Sequence, residues 1–136
     1  MNVKNLLRVT ALAEGSMALA FLLLPSMPSQ LLFGQTATTA LAAILGHFVG
    51  AVLISLSLAC WWAAGDASSK AASGVIKAVL FYDVVATVLL VYAWFGLGAA
   101  GILLWVGVAV HVVLGLWCVI AIREKANWPV LPYNEG

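Results

Sequence analysis

The fold is decided by residues 39–63, which read TALAAILGHFVGAVLISLSLACWWA. This stretch contains no Asp, Glu, Lys or Arg, and it contains a single histidine. A helix rises 1.5 Å per residue, so about 20 apolar residues span a hydrocarbon core of about 30 Å. The stretch therefore predicts a helix that crosses a membrane.

Three further stretches are also long and largely apolar, at residues 6–24, 74–95 and 101–122, and the first two of them contain two charged residues each. Hydrocarbon offers backbone N–H and C=O groups no water partner, so all four stretches are expected to be helical. The predicted fold is an all-α, transmembrane up-down four-helix bundle made by residues 1–126, with a short cytoplasmic tail at 127–136. The first stretch follows two basic residues, as a signal peptide does, but it has Glu14 at its middle and no clean cleavage site. It is therefore predicted to be a retained first crossing.

The composition excludes several classes of protein. Of the 136 residues, 65% are hydrophobic and 8% are charged, and the mean hydropathy is +1.12, whereas soluble domains carry roughly 25% charged residues. A net charge of +1 without a basic run argues against nucleic-acid binding. Cys60 and Cys118 lack a CxxC spacing, so we expect small buried hydrophobic residues and not a disulfide or a zinc site.

The basic residues predict the orientation of the chain. All of them lie at the start of the first crossing, in the second connection and the start of the third crossing, or after the fourth crossing: Lys4, Arg8, Lys70, Lys77, Arg123 and Lys125. Cytoplasmic loops carry an excess of Lys and Arg, so both termini are predicted to be cytoplasmic. The connection at 26–38 contains the apolar triplet 31–33, which is compatible with a short helix at the interface.

Each predicted crossing contains one strongly polar ionisable residue. Counted from the nearer end of each helix, all four lie roughly 12 to 16 Å deep and share one layer: Glu14, His47, Asp83 and His111. A charge at the centre of a bilayer costs about 2.5 kcal/mol or more, and such residues usually mark a function. The layer is therefore predicted to bind a small ligand, an ion or a proton, with Tyr82 and Tyr92 as secondary contributors.

Several chemistries remain open for this layer. The four residues could bind zinc or iron, although no HExxH or ExxH motif is present. His47 and His111 could be axial ligands of haem b, with neighbouring glycines making room for the porphyrin. The histidines and carboxylates could also simply satisfy one another. No phosphate loop or nucleophile motif is present, so whether the protein is an enzyme stays open.

A non-catalytic alternative rests on the small residues near the two histidines. Gly46, Gly50, Gly107 and Gly115 would let helices approach closely. They could therefore meet a second copy or a larger membrane complex, in which the chain would be an accessory or assembly subunit.

The first crossing also carries a family resemblance. Residues 6–15 (LLRVTALAEG) and the ending Leu24, Pro25 and Ser26 resemble the start of uncharacterised small bacterial four-helix membrane proteins. These are similar in size and layout to the DoxX-like group. The resemblance covers the hydropathy profile and this one motif. It implies a bacterial inner-membrane protein and transfers no catalytic residue.

Overall fold

The computed structural model describes residues 2–126, and these residues form helices joined by short connections. The five α-helices are α1 (Val3–Leu23), α2 (Ser26–Phe33), α3 (Ala40–Ala63), α4 (Lys70–Leu97) and α5 (Leu104–Ala126). One 3₁₀ turn, Ala64–Asp66, continues α3. The prediction of an all-α fold is therefore confirmed. The predicted tail at 127–136 lies outside the described residues.

Four of these helices are long and apolar enough to cross a bilayer. They are α1, α3 with its 3₁₀ extension, α4 and α5, and their mean hydropathies over 18-residue windows run from 1.6 to 2.3. This number of spans agrees with the prediction and supports a multi-pass membrane protein. The short helix α2 lies in the connection between the first two spans.

Large apolar side chains cover the outside of the protein. Phe48, Phe81 and Phe95 are 67%, 72% and 75% exposed, and many leucines and valines of α3, α4 and α5 also point outward. A soluble protein rarely exposes a contiguous apolar surface of this kind. The outer surface is therefore suited to contact with lipid tails, as the composition predicts.

The helix ends have local causes that are visible in the sequence. The side chain of Thr39 accepts a hydrogen bond from the backbone N–H of Ala42 at 3.1 Å, and Ser69 accepts one from Ala72 at 3.0 Å. These hydroxyls satisfy N–H groups that have no partner within the first helical turn. Gly98 ends α4 in the left-handed conformation, with φ of 67°, which glycine adopts without steric cost.

The helices pack most extensively as two pairs, α1 with α3 and α4 with α5. In the first pair, a Cβ at Gly50 would lie 3.0 Å from the carbonyl oxygen of Ala18, so the absence of a side chain permits the close approach. The hydroxyl of Ser57 on α3 donates to the carbonyl oxygen of Ala11 on α1 at 2.7 Å. Direct backbone approach and a buried hydrogen bond thus hold this pair together.

The short helix α2 packs on the connection between α4 and α5. The N–H of Leu103 donates to the carbonyl oxygen of Leu31 at 2.9 Å, and the N–H of Ala100 donates to that of Phe33 at 3.3 Å. Gly101 lies directly against the backbone of α2. The connection before α3 and the connection before α5 therefore meet at one end of the protein.

The opposite end contains the larger of the apolar clusters. Leu6 and Leu7 from the start of α1 are 1% exposed and pack with Ala64 and Ala72 around the second connection. Cys60 and Cys118 belong to the same cluster as free, fully buried thiols. They behave as the small hydrophobic residues that the sequence predicts.

Candidate functional site

Three ionisable residues from three helices converge inside the protein. Glu14 of α1, Asp83 of α4 and His111 of α5 each offer one oxygen or nitrogen atom, and these atoms lie within 4.8 Å of one another. Glu14 is 4% exposed and Asp83 is 1% exposed, and the His111 side chain is 13% exposed. The structure therefore joins three of the four polar residues that the sequence places at one depth.

Tyr82 contacts both Glu14 and His111. Its hydroxyl donates to Oε2 of Glu14 at 2.9 Å, and its ring stands edge-on to the imidazole of His111, with 5.3 Å between ring centroids. The imidazole in turn is hydrogen-bonded through Nδ1 to Oδ1 of Asp83 at 2.9 Å. When Asp83 is ionised, its carboxylate can only accept, and the shared hydrogen atom then belongs to Nδ1 of His111.

One oxygen of the cluster, Oδ2 of Asp83, is fully buried and accepts no hydrogen bond from the residues that the structure describes. A buried polar atom that is left unsatisfied costs about 1–3 kcal/mol, and more when it is charged. The cluster therefore has unused capacity to accept a proton, a cation or a hydrogen-bond donor.

The charge of the cluster is not balanced by a basic side chain. Two carboxylates face one imidazole, and every described Lys and Arg side chain, at positions 4, 8, 70, 77 and 123, is exposed. Opposite charges stabilise carboxylates inside a low-dielectric region far more than in water. A proton or a bound cation would supply the charge that the chain does not.

A cavity of about 550 Å³ adjoins the cluster and lies between the two helix pairs. The polar residues that line it are Glu14, Tyr82 and His111. The rest of the lining is apolar and comes from all five helices: Ala13, Met17, Phe21, Leu32, Phe33, Phe48, Val49, Val52, Leu53, Ala86, Leu89, Leu90, Leu103, Val106, Gly107 and Val110. The cavity is thus an apolar chamber with polar groups from α1, α4 and α5.

The cavity is accessible from the outer surface of the helices. Phe48 and Val52 of α3, Leu89 of α4 and Val106 of α5 line it and are also 50% to 67% exposed. These positions lie within the long apolar helices, where the surrounding medium would be lipid. A molecule dissolved in the bilayer could therefore reach the cavity sideways.

His47 and Tyr92 lie apart from this cluster. His47 is exposed and lines a separate shallow pocket with Pro25 and Gln30, and Tyr92 is 58% exposed. Gly46, next to His47, faces Pro25, and successive residues of a helix point about 100° apart. His47 is therefore turned outward, and the two histidines that a bis-histidine haem requires do not share one cavity.

The glycines that suggested a partner surface contact other parts of this chain. A Cβ at Gly46 would meet Pro25 of the first connection, and one at Gly115 would meet Asp83 of α4. A Cβ at Gly107 would lie 3.3 Å from Leu90. These small residues are thus used in packing within the protein.

The sequence indicated Tyr82 only as a secondary contributor, whereas the structure places it between Glu14 and His111, and the contribution of α2 to the cavity was not predicted. Tyr82 directly precedes Asp83, and a hydroxyl beside a carboxylate at mid-helix was the available signal. Leu32 and Phe33 of α2 line the cavity although they lie outside the four long spans.

Comparison of the chain with protein-family models, with curated proteins and with solved structures finds no match.

Proposed function

We propose that this protein binds a small, largely apolar molecule in the cavity between the two helix pairs. The polar group of that molecule would contact Glu14, Tyr82 and His111, and its apolar part would contact the leucines, valines and phenylalanines of the lining. The molecule would enter and leave through the bilayer. The observation that carries the proposal is the combination of an apolar chamber with polar groups restricted to three of its lining residues.

The size and composition of the cavity support a ligand. Binding sites for small molecules usually have volumes of about 300–1,000 Å³, are mostly apolar and contain a few convergent polar groups. The cavity here has about 550 Å³ and three polar lining residues. A proton pathway would instead need polar groups along its length, and the lining beyond Glu14, Tyr82 and His111 is apolar.

The proposed topology is an up-down bundle with both termini in the cytoplasm of a bacterial cell, in its inner membrane. The asymmetry of the six basic residues supports this orientation. Contacts between α2 and the α4–α5 connection support the up-down arrangement, because they place these two connections at the same end of the bundle.

Labelling of single added cysteines tests the topology. The variants Ala71→Cys, at the start of α4, and Ala100→Cys, before α5, both place a thiol at an exposed position. The two native cysteines are buried, so labelling of the wild-type protein gives the background signal. A membrane-impermeant maleimide added to intact cells should label Ala100→Cys and leave Ala71→Cys unlabelled, and the opposite pattern would reverse the proposed orientation.

Analysis of co-purifying molecules tests the binding proposal. Ala86→Phe adds a ring to the cavity wall on α4, whereas Val88→Phe adds the same ring on the same helix at an outward position that does not line the cavity. Protein reconstituted in nanodiscs would be extracted and the extract analysed by mass spectrometry. We expect a molecule other than the added lipid with wild type and Val88→Phe, and its loss with Ala86→Phe. Identical extracts from all three proteins would contradict the proposal.

A further inference from the structure

The hydrogen-bonding capacity of the site is unevenly divided between donors and acceptors. The hydroxyl of Tyr82 is a donor, and it is used by Oε2 of Glu14. The Nδ1–H of His111 is a donor when Asp83 is ionised, and it is used by Oδ1 of that residue. Both donors are therefore committed to carboxylate oxygens inside the site.

The capacity that remains consists of acceptors. Oδ2 of Asp83 is buried and has no partner among the described residues. Among the same residues, the second oxygen of Glu14 and Nε2 of His111 also take part in no hydrogen bond. Of these three residues, Glu14 and His111 line the cavity, so a molecule that binds there meets free acceptors and must itself donate hydrogen bonds.

The charge of the site points in the same direction. An imidazole that carries one proton is neutral, so the cluster has a net negative charge if both carboxylates are ionised. No described basic side chain is buried beside it. Tyr82 also lines the cavity, and aromatic rings attract cations. A negatively charged head group would meet like charges at short range in a medium of low dielectric constant.

From this geometry we infer that the protein selects lipophilic amines, whose protonated amino group donates to the free oxygen of Glu14 and to Nε2 of His111, close to the buried carboxylate of Asp83, while the apolar body fills the cavity. This inference rests on the proposed function, because it names the class of molecule that the cavity takes. An ammonium group supplies up to three donors and a positive charge, whereas an alcohol supplies one donor and no charge. Fatty acids and other anionic amphiphiles are excluded by the same argument.

Three probes with one apolar body separate these classes: 4-(1-naphthyl)butan-1-amine, 4-(1-naphthyl)butan-1-ol and 4-(1-naphthyl)butanoic acid. Binding would be measured at pH 7 by titration calorimetry with protein in phosphatidylcholine nanodiscs, and protein-free nanodiscs would correct for partitioning into lipid. Hydrogen bonds to charged groups are substantially stronger than neutral ones. We therefore expect the amine to bind at least about tenfold more tightly than the alcohol, and the acid to bind more weakly than both.

Two variants test whether the proposed residues cause this preference. Glu14→Gln keeps the size of the side chain and an oxygen that can accept from Tyr82, but it removes the charge. It should reduce the ratio of amine to alcohol affinity by about tenfold while leaving the alcohol bound. Ala86→Phe should lower the affinity for all three probes, because Ala86 lines the cavity. Val88→Phe should leave all three affinities unchanged, because Val88 does not line it.

The outcomes distinguish this inference from the proposed function. Equal affinities for the three probes, all lost in Ala86→Phe, would refute the amine preference and leave the cavity as a binding site. An unchanged affinity ratio in Glu14→Gln would also refute it. Elemental analysis provides a further test: one equivalent of zinc, manganese or iron in wild type that is lost in Asp83→Asn would assign the cation as a metal ion and overturn the inference.

Discussion

The close contact between Gly101 and α2 provides a direct test of how the cavity is closed at one end. A Cβ added at Gly101 would overlap the carbonyl groups of Leu31 and Leu32. These atoms belong to the backbone of a helix and not to the end of a flexible side chain. The substitution Gly101→Ala therefore forces α2 and the α4–α5 connection apart.

The expected cost follows from the contacts that this separation breaks. Nonbonded carbon atoms prefer separations of about 3.5–4.0 Å, so the two segments must move apart by roughly 1 Å or more. The hydrogen bonds from Leu103 to Leu31 and from Ala100 to Phe33, at 2.9 and 3.3 Å, would then exceed hydrogen-bonding distance. Each lost bond costs about 1 kcal/mol, and buried groups left unpaired cost about 1–3 kcal/mol. We expect Gly101→Ala to lower the free energy of unfolding by about 3 kcal/mol.

Gly74 offers a matched control for this measurement. It lies inside α4, and a Cβ added there would meet nothing within 4 Å. Replacing a helical glycine by alanine at such a position is worth about 0.5–1 kcal/mol in favour of the helix. Unfolding in mixed micelles with increasing mole fraction of sodium dodecyl sulfate would compare both variants with wild type. If Gly101→Ala proves as stable as Gly74→Ala, the described contact between α2 and the connection is wrong.

Two further predictions concern the helix pairs and the site. Ser57→Ala removes the buried hydrogen bond to the carbonyl oxygen of Ala11 and should lower the free energy of unfolding by about 1 kcal/mol in the same assay. Ser55→Ala, at an exposed position, should stay within about 0.5 kcal/mol of wild type. Equal losses in the two variants would contradict the contact between Ser57 and Ala11. His111→Ala should reduce the amount of co-purifying ligand detected by mass spectrometry by about tenfold, because it removes a lining residue and the partner of Asp83, and His47→Ala should leave that amount unchanged. A loss caused by His47→Ala alone would place the site elsewhere.

The four long helices could be predicted because hydropathy and length act along the chain and need no knowledge of packing. Residues 39–63 are apolar throughout, and the corresponding helix Ala40–Ala63 begins directly after the capping residue Thr39. The contact between α2 and Gly101 could not be predicted in the same way. It depends on which connections meet at one end of the protein, and residues about 70 positions apart in sequence leave no local pattern.

The position of each polar residue along its helix could be predicted from the sequence, but the direction in which its side chain points could not. Counting residues along each helix placed Glu14, His47, Asp83 and His111 at a common level, and the structure brings Glu14, Asp83 and His111 together. His47 differs because the rotation of α3 is determined by Gly50, which packs against α1. A histidine three residues before that glycine was expected to share its inward face, but the helix places His47 outside, beside the first connection.

The position of the cluster relative to the two helix pairs links ligand binding to the stability of the bundle. The bond between Asp83 and His111 lies within the α4–α5 pair, whereas the bond between Tyr82 and Glu14 joins that pair to α1. A donor that enters the cavity would add a further bond at the second oxygen of Glu14, beside the same boundary. A ligand that binds only the folded state stabilises it by an amount that grows with the logarithm of its concentration, about 2.7 kcal/mol at 100 times the dissociation constant. Because Glu14 is the member of the cluster that lies on the α1–α3 pair, a tenfold weaker binding in Glu14→Gln should reduce this stabilisation to about 1.4 kcal/mol at the same amine concentration, without disturbing the Asp83–His111 bond. Stabilisation by the amine that is undiminished in Glu14→Gln would show that the ligand does not join the two pairs.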